Sequence, residues 1–314
     1  MDVSRLALSQ PIPRLLVEVY GFIAVCSAVT LLHPALRRPE KRAVRQAVNS
    51  WWPPALLSGA AVLLGAAAAV PLFAAMSAWA LTELLRVLPA ADRPRGTTTL
   101  AYGAVPVHYV ALLSGDADLA GGTALFAWLF LAMPLARALR HGPDGVLGGA
   151  ARVGLAAALT VFALGFVART FLLPTRVGPC GAAGFAAVLL LSVMANDASQ
   201  YLFGKLFGRT ALAPVISPRK TWEGFAGGVA VTALVTAGAA PAITGLGRAE
   251  SALVGALLAS LGLLGDLLVS AVKRDLGVKD TGAVLPGQGG VLDRMDSLLL
   301  AAPAFFFYAQ ARCP

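Results

Sequence analysis

The run Ala252–Val272, ALVGALLASLGLLGDLLVSAV, carries a single charge, Asp266. At a rise of about 1.5 Å per residue, a helix this long crosses a hydrocarbon core of about 30 Å. Its apolar residues are continuous instead of alternating, so a helix is expected and not a strand of a barrel. Lipid offers the backbone no hydrogen bonds, and a helix satisfies its own.

The rest of the chain follows the same rule. Hydrophobic residues make up 58% of the 314 and charged residues 13%, with a mean hydropathy of +0.75. A soluble domain carries about 25% charged residues. The expected fold class is an all-α integral membrane protein with about ten transmembrane helices. The spans fall near Leu15–Leu32, Ala55–Val70, Leu72–Leu88, Thr99–Leu113, Gly122–Ala138, Ala151–Leu172, Cys180–Met194, Gly224–Ile243, Ala252–Val272 and Met295–Gln310. Pro71 is taken as the break inside the apolar stretch Pro54–Leu88, for which one long tilted helix is the alternative.

Basic residues gather after the first span (Arg37, Arg38, Lys41, Arg42, Arg45) and again in alternate loops. The positive-inside rule then places the N-terminus outside and the charged loops in the cytoplasm. The formal charge of +9 has its explanation there, and no nucleic-acid partner is expected. The first fourteen residues show no cleavage site, so no removable signal peptide is expected, and a bacterial inner membrane suits the compact loops. Three units follow: residues 1–50 as an N-terminal span and basic loop, 51–179 as scaffold helices, and 180–314 as the catalytic region. Cys26, Cys180 and Cys313 are far apart, and His33, His108 and His141 have no metal-site spacing. Any metal must be held by carboxylates, which favours a hard ion such as Mg²⁺.

Directly after the opening run comes Ser270–Ser297, SAVKRDLGVKDTGAVLPGQGGVLDRMDS, dense in charges of both signs and in glycine. Asp293 and Asp296, three apart, share one face of a helix. Asp266, buried in an apolar run, needs a cation or a hydrogen-bonding partner. If the last two spans pack together, the three carboxylates converge, and one or two Mg²⁺ would relieve their repulsion. Lys273, Arg274, Lys279 and Arg294 here, with Lys205, Arg209, Arg219 and Lys220 in the preceding loop, supply phosphate partners, while glycines let backbone N–H groups approach. Two plainer readings remain open at this level. Asp293–Arg294 and Asp275–Arg274 also fit interfacial salt bridges with Asp266 protonated or paired with a lysine, and inside loops are basic in any membrane protein.

The spacing Ser270-x-x-Lys273-Arg274-x-x-x-x-Lys279-Asp280-x-Gly282-x-x-Leu285-Pro286-Gly287-x-Gly289-Gly290-x-x-Asp293-Arg294-x-Asp296 closely resembles the diagnostic motif of the CDP-diacylglycerol synthase (phosphatidate cytidylyltransferase) family. Asn196-Asp197-Ala198, Tyr201–Lys205 and Ser217–Gly224 also look like that family. The resemblance is strong from about Ala195 to Ser297 and weak before it, where hydropathy and Glu83 near a helix end agree.

That resemblance implies transfer of CMP from CTP to phosphatidic acid, within a membrane of lipids, by a protein for which a homodimer is an open option. It implies metal ligands at Asp266, Asp293 and Asp296, with a two-metal Mg²⁺ site and room for a monovalent cation such as K⁺. Catalytic roles would fall to these three with Lys273, Arg274, Lys279, Asp280 and Arg294. Substrate contacts would fall to Asn196, Asp197, Ser217, Lys220, Thr221, Gly287, Gln288, Gly289 and Gly290. The chain departs from the family at Gln288, where histidine is usual; glutamine hydrogen-bonds but carries no proton charge near neutral pH. The alternatives are a family paralogue acting on another lipid phosphate, and a transporter using Asp266, Asp293 and Asp296 as a cation site. A transporter has no use for the dense Lys/Arg/Gly segment, and no duplicated half is visible.

Overall fold

A computed structural model describes residues 11–32, 42–115, 122–144, 146–174, 181–282 and 289–312. Gly287 and Gln288, the basic run Arg37–Lys41, the acidic residues Asp116 and Asp118, and Cys180 and Cys313 lie outside the described residues.

The helices are α1 Pro11–Leu32, α2 Arg42–Asn49, α3 Trp52–Leu64, α4 Ala66–Val87 and α5 Arg95–Leu113. They continue with α6 Thr123–Arg140, α7 Val146–Thr170 and α8 Gly181–Phe207. A hairpin of β1 Ala211–Ala213 and β2 Ser217–Thr221 follows, then α9 Trp222–Thr244, α10 Arg248–Asp275, α11 Leu292–Met295 and α12 Leu298–Arg312. The helical membrane class therefore stands, with one small antiparallel ladder that the hydropathy pattern did not announce.

Seven described helices are long and apolar enough to cross a membrane: α1, α4, α6, α7, α8, α9 and α10. The other three expected spans are present as helices. However, α3 has 13 residues and α12 has 15, short of the roughly 20 that a crossing needs. The third, α5, is long enough but begins with Arg95, Thr97, Thr98 and Thr99, which lower its hydropathy.

Two boundaries differ from those read in the sequence. The break in the second apolar stretch is at Gly65, whose φ of +69° suits glycine, and not at Pro71. Pro71 lies inside α4, where its missing N–H forfeits only the bond to the Ala67 carbonyl. Likewise α8 does not stop near Met194 but runs on through Asn196, Asp197 and Lys205. It is held there by α9, its most extensive neighbour. Glycines on α9 make this possible, since a Cβ at Gly227 would strike the Phe203 ring and one at Gly228 the Gln200 side chain. Close backbone approach over small residues is the usual basis of helix association in lipid.

Two helices widen to π-turns. In α6 the π-turn Trp128–Ala132 precedes Pro134, which has no N–H for the Phe130 carbonyl. In α7 the π-turn Ala158–Ala163 contains Thr160, whose hydroxyl donates to the Ala156 carbonyl at 2.7 Å and competes with the backbone ladder. The core lies around α7, the most buried span, with Phe166 packed by Phe306 and Leu81 and Leu84 of α4 fully buried nearby. In contrast, α1 presents Val17, Phe22, Val25 and Leu32 outward, as a face bathed in lipid would.

Candidate active site

The site forms where α8, β2, α10 and the α11–α12 turn come together. From β2, the Lys220 ammonium stands 2.5 Å from Oδ2 of Asp266 on α10. One turn on, the Ser270 hydroxyl donates to Asp266 Oδ1 at 3.2 Å. Asp266 thus meets the requirement set by its apolar run, by pairing with a lysine from the hairpin. Arg274 strengthens the same junction by donating from Nε to the Ile216 carbonyl at 3.3 Å. The hairpin is in turn tied to α9 at its base. The Arg209 and Thr210 N–H groups donate to the Glu223 carboxylate at 3.1–3.2 Å.

Asp197 and Asp296 complete a group of carboxylates with Asp266. Asp296 is buried and lies in the electrostatic field of both Asp266 and Asp197, offset by Lys220 and Lys273. Its Oδ1 accepts the Ser297 N–H at 2.8 Å, and the Ser297 hydroxyl donates to Asp197 Oδ1 at 2.8 Å. Asp197 lies on α8, with Lys220 and Arg294 also in its electrostatic field. A Cβ at Gly265 would strike the Asp296 carbonyl, so glycine lets the α11–α12 turn lie directly against α10, one residue from Asp266.

Asp293 has other company. Its Oδ1 accepts Lys273 Nζ at 2.6 Å. Its Oδ2 accepts the N–H groups of Gly290 at 2.8 Å and Thr281 at 2.9 Å, and the Thr281 hydroxyl at 3.0 Å. Burial alone would raise this carboxyl, but the Lys273 ammonium and the two N–H groups outweigh it and hold it below the ordinary carboxylate value. Among the three acids singled out for metal, Asp293 is therefore saturated by protein donors. Asp197, expected as a pocket residue, lies beside Asp266 and Asp296.

The remaining expected residues are distributed around this centre. Arg294 is exposed and in the field of Asp296, Asp293 and Asp197. Lys279 and Asp280 are exposed before Thr281, and Ser217 is half-buried at the start of β2. The Thr221 hydroxyl accepts the Gly224 N–H at 3.1 Å and caps α9, so its oxygen is engaged by the fold. Asn196 is fully buried, and its amide oxygen accepts the Gln200 side-chain N–H at 2.8 Å. Gly289 has φ +80°, and a Cβ there would meet Asp293 Oδ2 at 2.6 Å. Gly290 supplies an N–H to Asp293.

Sequence reading noted Glu83 only as a residue near a helix end that agrees with the family, and gave it no role. It comes from α4, is 2% exposed, and accepts the N–H groups of Val291 at 3.0 Å and Leu292 at 3.1 Å. The signal that points to it is a lone acid inside an apolar helix.

Among the described residues, no three His, Cys, Asp or Glu side chains form a ready-made cage for an ion. The donor set still suits Mg²⁺, which is held by one or two carboxylates and completed by water and substrate phosphates. Lys220, Lys273 and Arg294 stand among these carboxylates, and cationic side chains of this kind are suited to phosphate oxygens.

The family model described as "Cytidylyltransferase family" matches residues 45–311. The chain is 33% identical over 287 residues to the uncharacterized protein YnbB of Escherichia coli strain K12, covering 88% of this chain and 91% of that one. It is 42% identical over 128 residues to the phosphatidate cytidylyltransferase of Mycobacterium bovis, covering 41% of this chain and 42% of that enzyme. It is also 44% identical over 125 residues to the phosphatidate cytidylyltransferase of Bacillus subtilis strain 168, covering 39% and 45%. The match spans less than half the length of each of these two enzymes.

Proposed function

The chain belongs to the cytidylyltransferase family, and from that premise we propose that it transfers CMP from CTP to phosphatidic acid. An anionic oxygen of the lipid phosphate attacks the α-phosphorus of CTP, the bond to the bridging oxygen breaks, and pyrophosphate leaves, giving CDP-diacylglycerol. The nucleophile is already deprotonated, so no general base is required, in keeping with the scarcity of histidine in this chain.

The observation that carries this reading is the group Asp197, Asp266 and Asp296 with Lys220 and Lys273 set among them. Asp266 and Asp296, with Asp197, would hold Mg²⁺. When bound, the ion neutralises phosphate charge on the triphosphate. Lys220, Lys273, Arg274, Lys279 and Arg294 would bind phosphate oxygens of CTP and of the lipid. Lys220 is the pivotal one: it neutralises Asp266 in the structure, and a metal on Asp266 would free it for a phosphate. In this reading the site faces the cytoplasm of a bacterial cell, where CTP is found, and the lipid arrives from the membrane.

The deciding experiment is CTP-dependent pyrophosphate release by purified protein in detergent with Mg²⁺, with and without phosphatidic acid. Lipid-dependent release is expected. Its absence from folded protein would favour the second reading, a related enzyme that uses another lipid phosphate. That reading draws on the relative matched along most of the chain being YnbB, while the phosphatidate enzymes match over a part. The same assay run with a panel of lipid phosphates separates the two.

A further inference from the structure

Residues 281–282 and 289–292, the two described ends of the glycine-rich segment, are drawn together by two carboxylates. One is Asp293, which accepts from Thr281, Gly290 and Lys273. The other is Glu83, which arrives from a helix about two hundred residues earlier in the chain. The Thr281 hydroxyl lies between them, 3.0 Å from Asp293 Oδ2 and 3.4 Å from Glu83 Oε2. Two glycines accommodate the Glu83 carboxylate. A Cβ at Gly282 would come within 2.6 Å of Oε1, and one at Gly290 would strike Oε2. The described structure offers Glu83 no cation. Its hydrogen bonds come from the two backbone N–H groups that open α11, with the Thr281 hydroxyl alongside. A buried carboxylate is tolerated when such donors satisfy it.

We propose that Glu83 is a positioning residue for the proposed transferase: it fixes the Val291–Leu292 backbone, and through it where Asp293, Arg294 and Asp296 stand against Asp266. The α4 helix is one of the more buried spans, with Ala80, Leu81 and Leu84 in the core. It therefore gives a rigid reference for a segment that is otherwise rich in glycine. A carboxylate is suited to this place because both its oxygens only accept, matching two converging N–H groups. Glutamine would turn an NH₂ toward one of them.

The inference rests on the proposed transferase for its kinetic consequence, and hydrogen exchange tests it independently of turnover. In the full-length protein in detergent, Glu83→Gln is expected to quicken amide exchange of peptides covering 289–292 about tenfold or more, with α8 and α9 unchanged. The variant is also expected to lower kcat about tenfold or more while KM for the lipid phosphate stays the same. Thr281→Val, which removes only the shared hydroxyl, is expected to give a smaller effect of the same kind. It carries the test if Glu83→Gln does not fold. Unchanged exchange at 289–292, or faster exchange spread over α8 and α9, would overturn the proposal. If the wild-type protein releases no pyrophosphate with any lipid phosphate, the transferase reading fails, and exchange alone decides the role of Glu83.

Discussion

Lys220 Nζ lies 2.5 Å from Asp266 Oδ2, so an ion pair, beside the Arg274 bond to Ile216, fastens a two-stranded hairpin to a membrane helix. Neither partner is deeply buried, with side-chain exposures of 19% and 25%. Such a pair lies between the surface case, worth little, and the buried case, in which losing one partner is severe. Its position matters more than its energy, because it is where the phosphate donors of β2 meet the carboxylates of α10.

Lys220→Met is therefore expected to lower kcat/KM for CTP by about a hundredfold or more, the usual consequence of removing one preorganised donor to transition-state charge. The loss of stability is expected to be about 1–3 kcal/mol, between the surface and the buried case. Lys220→Arg, which keeps the charge but not the compact fit, should fall between. Pyrophosphate release and thermal unfolding in detergent measure both effects. Wild-type turnover in Lys220→Met would remove this lysine from the site.

Thr221 separates capping from substrate contact. Since its hydroxyl caps α9, Thr221→Ala is expected to cost about 1 kcal/mol of stability, with kcat per folded molecule unchanged. Thr221→Ser should restore the melting temperature. A loss of kcat in Thr221→Ala at unchanged stability would instead assign the hydroxyl to substrate.

Metal dependence distinguishes the carboxylates. EDTA is expected to stop the reaction. Asp266→Asn and Asp296→Asn should raise the Mg²⁺ concentration giving half-maximal rate. Asp293→Asn, whose parent carboxylate is occupied by Lys273, Thr281 and Gly290, should lower kcat with little change in Mg²⁺ dependence. An equal Mg²⁺ shift in all three would make Asp293 a ligand as well.

Gln288→His restores the residue usual at this place in the motif. Activity toward phosphatidic acid is expected to rise or stay level, measured by pyrophosphate release. A loss would mean that the segment is built around glutamine for a different lipid phosphate.

Much of the fold was legible because lipid enforces it. Long apolar runs such as Ala252–Val272 must be helices, and all ten expected spans are present as helices, though not all are long and apolar enough to cross. Pro71 misled because proline usually punctuates a helix, whereas Gly65, with its positive φ, does so here. The end of α8 was missed because Asn196 and Asp197 look like loop residues, yet α9 carries the helix past them. Within the site, Asp266 and its need for a cation were readable from hydropathy. A lysine was among the partners expected for it, but which lysine was not legible, since Lys220 reaches Asp266 through a hairpin. The surroundings of Asp197 and Asp293 depend on Ser297, Thr281 and Gly290, whose hydrogen bonds link distant segments and leave no period in the sequence.

The bond from the Val291 N–H to Glu83 joins residues 208 positions apart. At a synthesis rate of about 5–20 residues per second, Glu83 is made roughly 10–40 s before its partner. During that interval α4 has entered the membrane with a carboxylate near its end and none of the backbone donors that will later satisfy it. Water or lipid headgroups at the interface must serve meanwhile. The nascent protein is thus inserted well before it is competent. A ribosome stalled short of Leu292 would leave a chain with most of its helices in the bilayer and no assembled site.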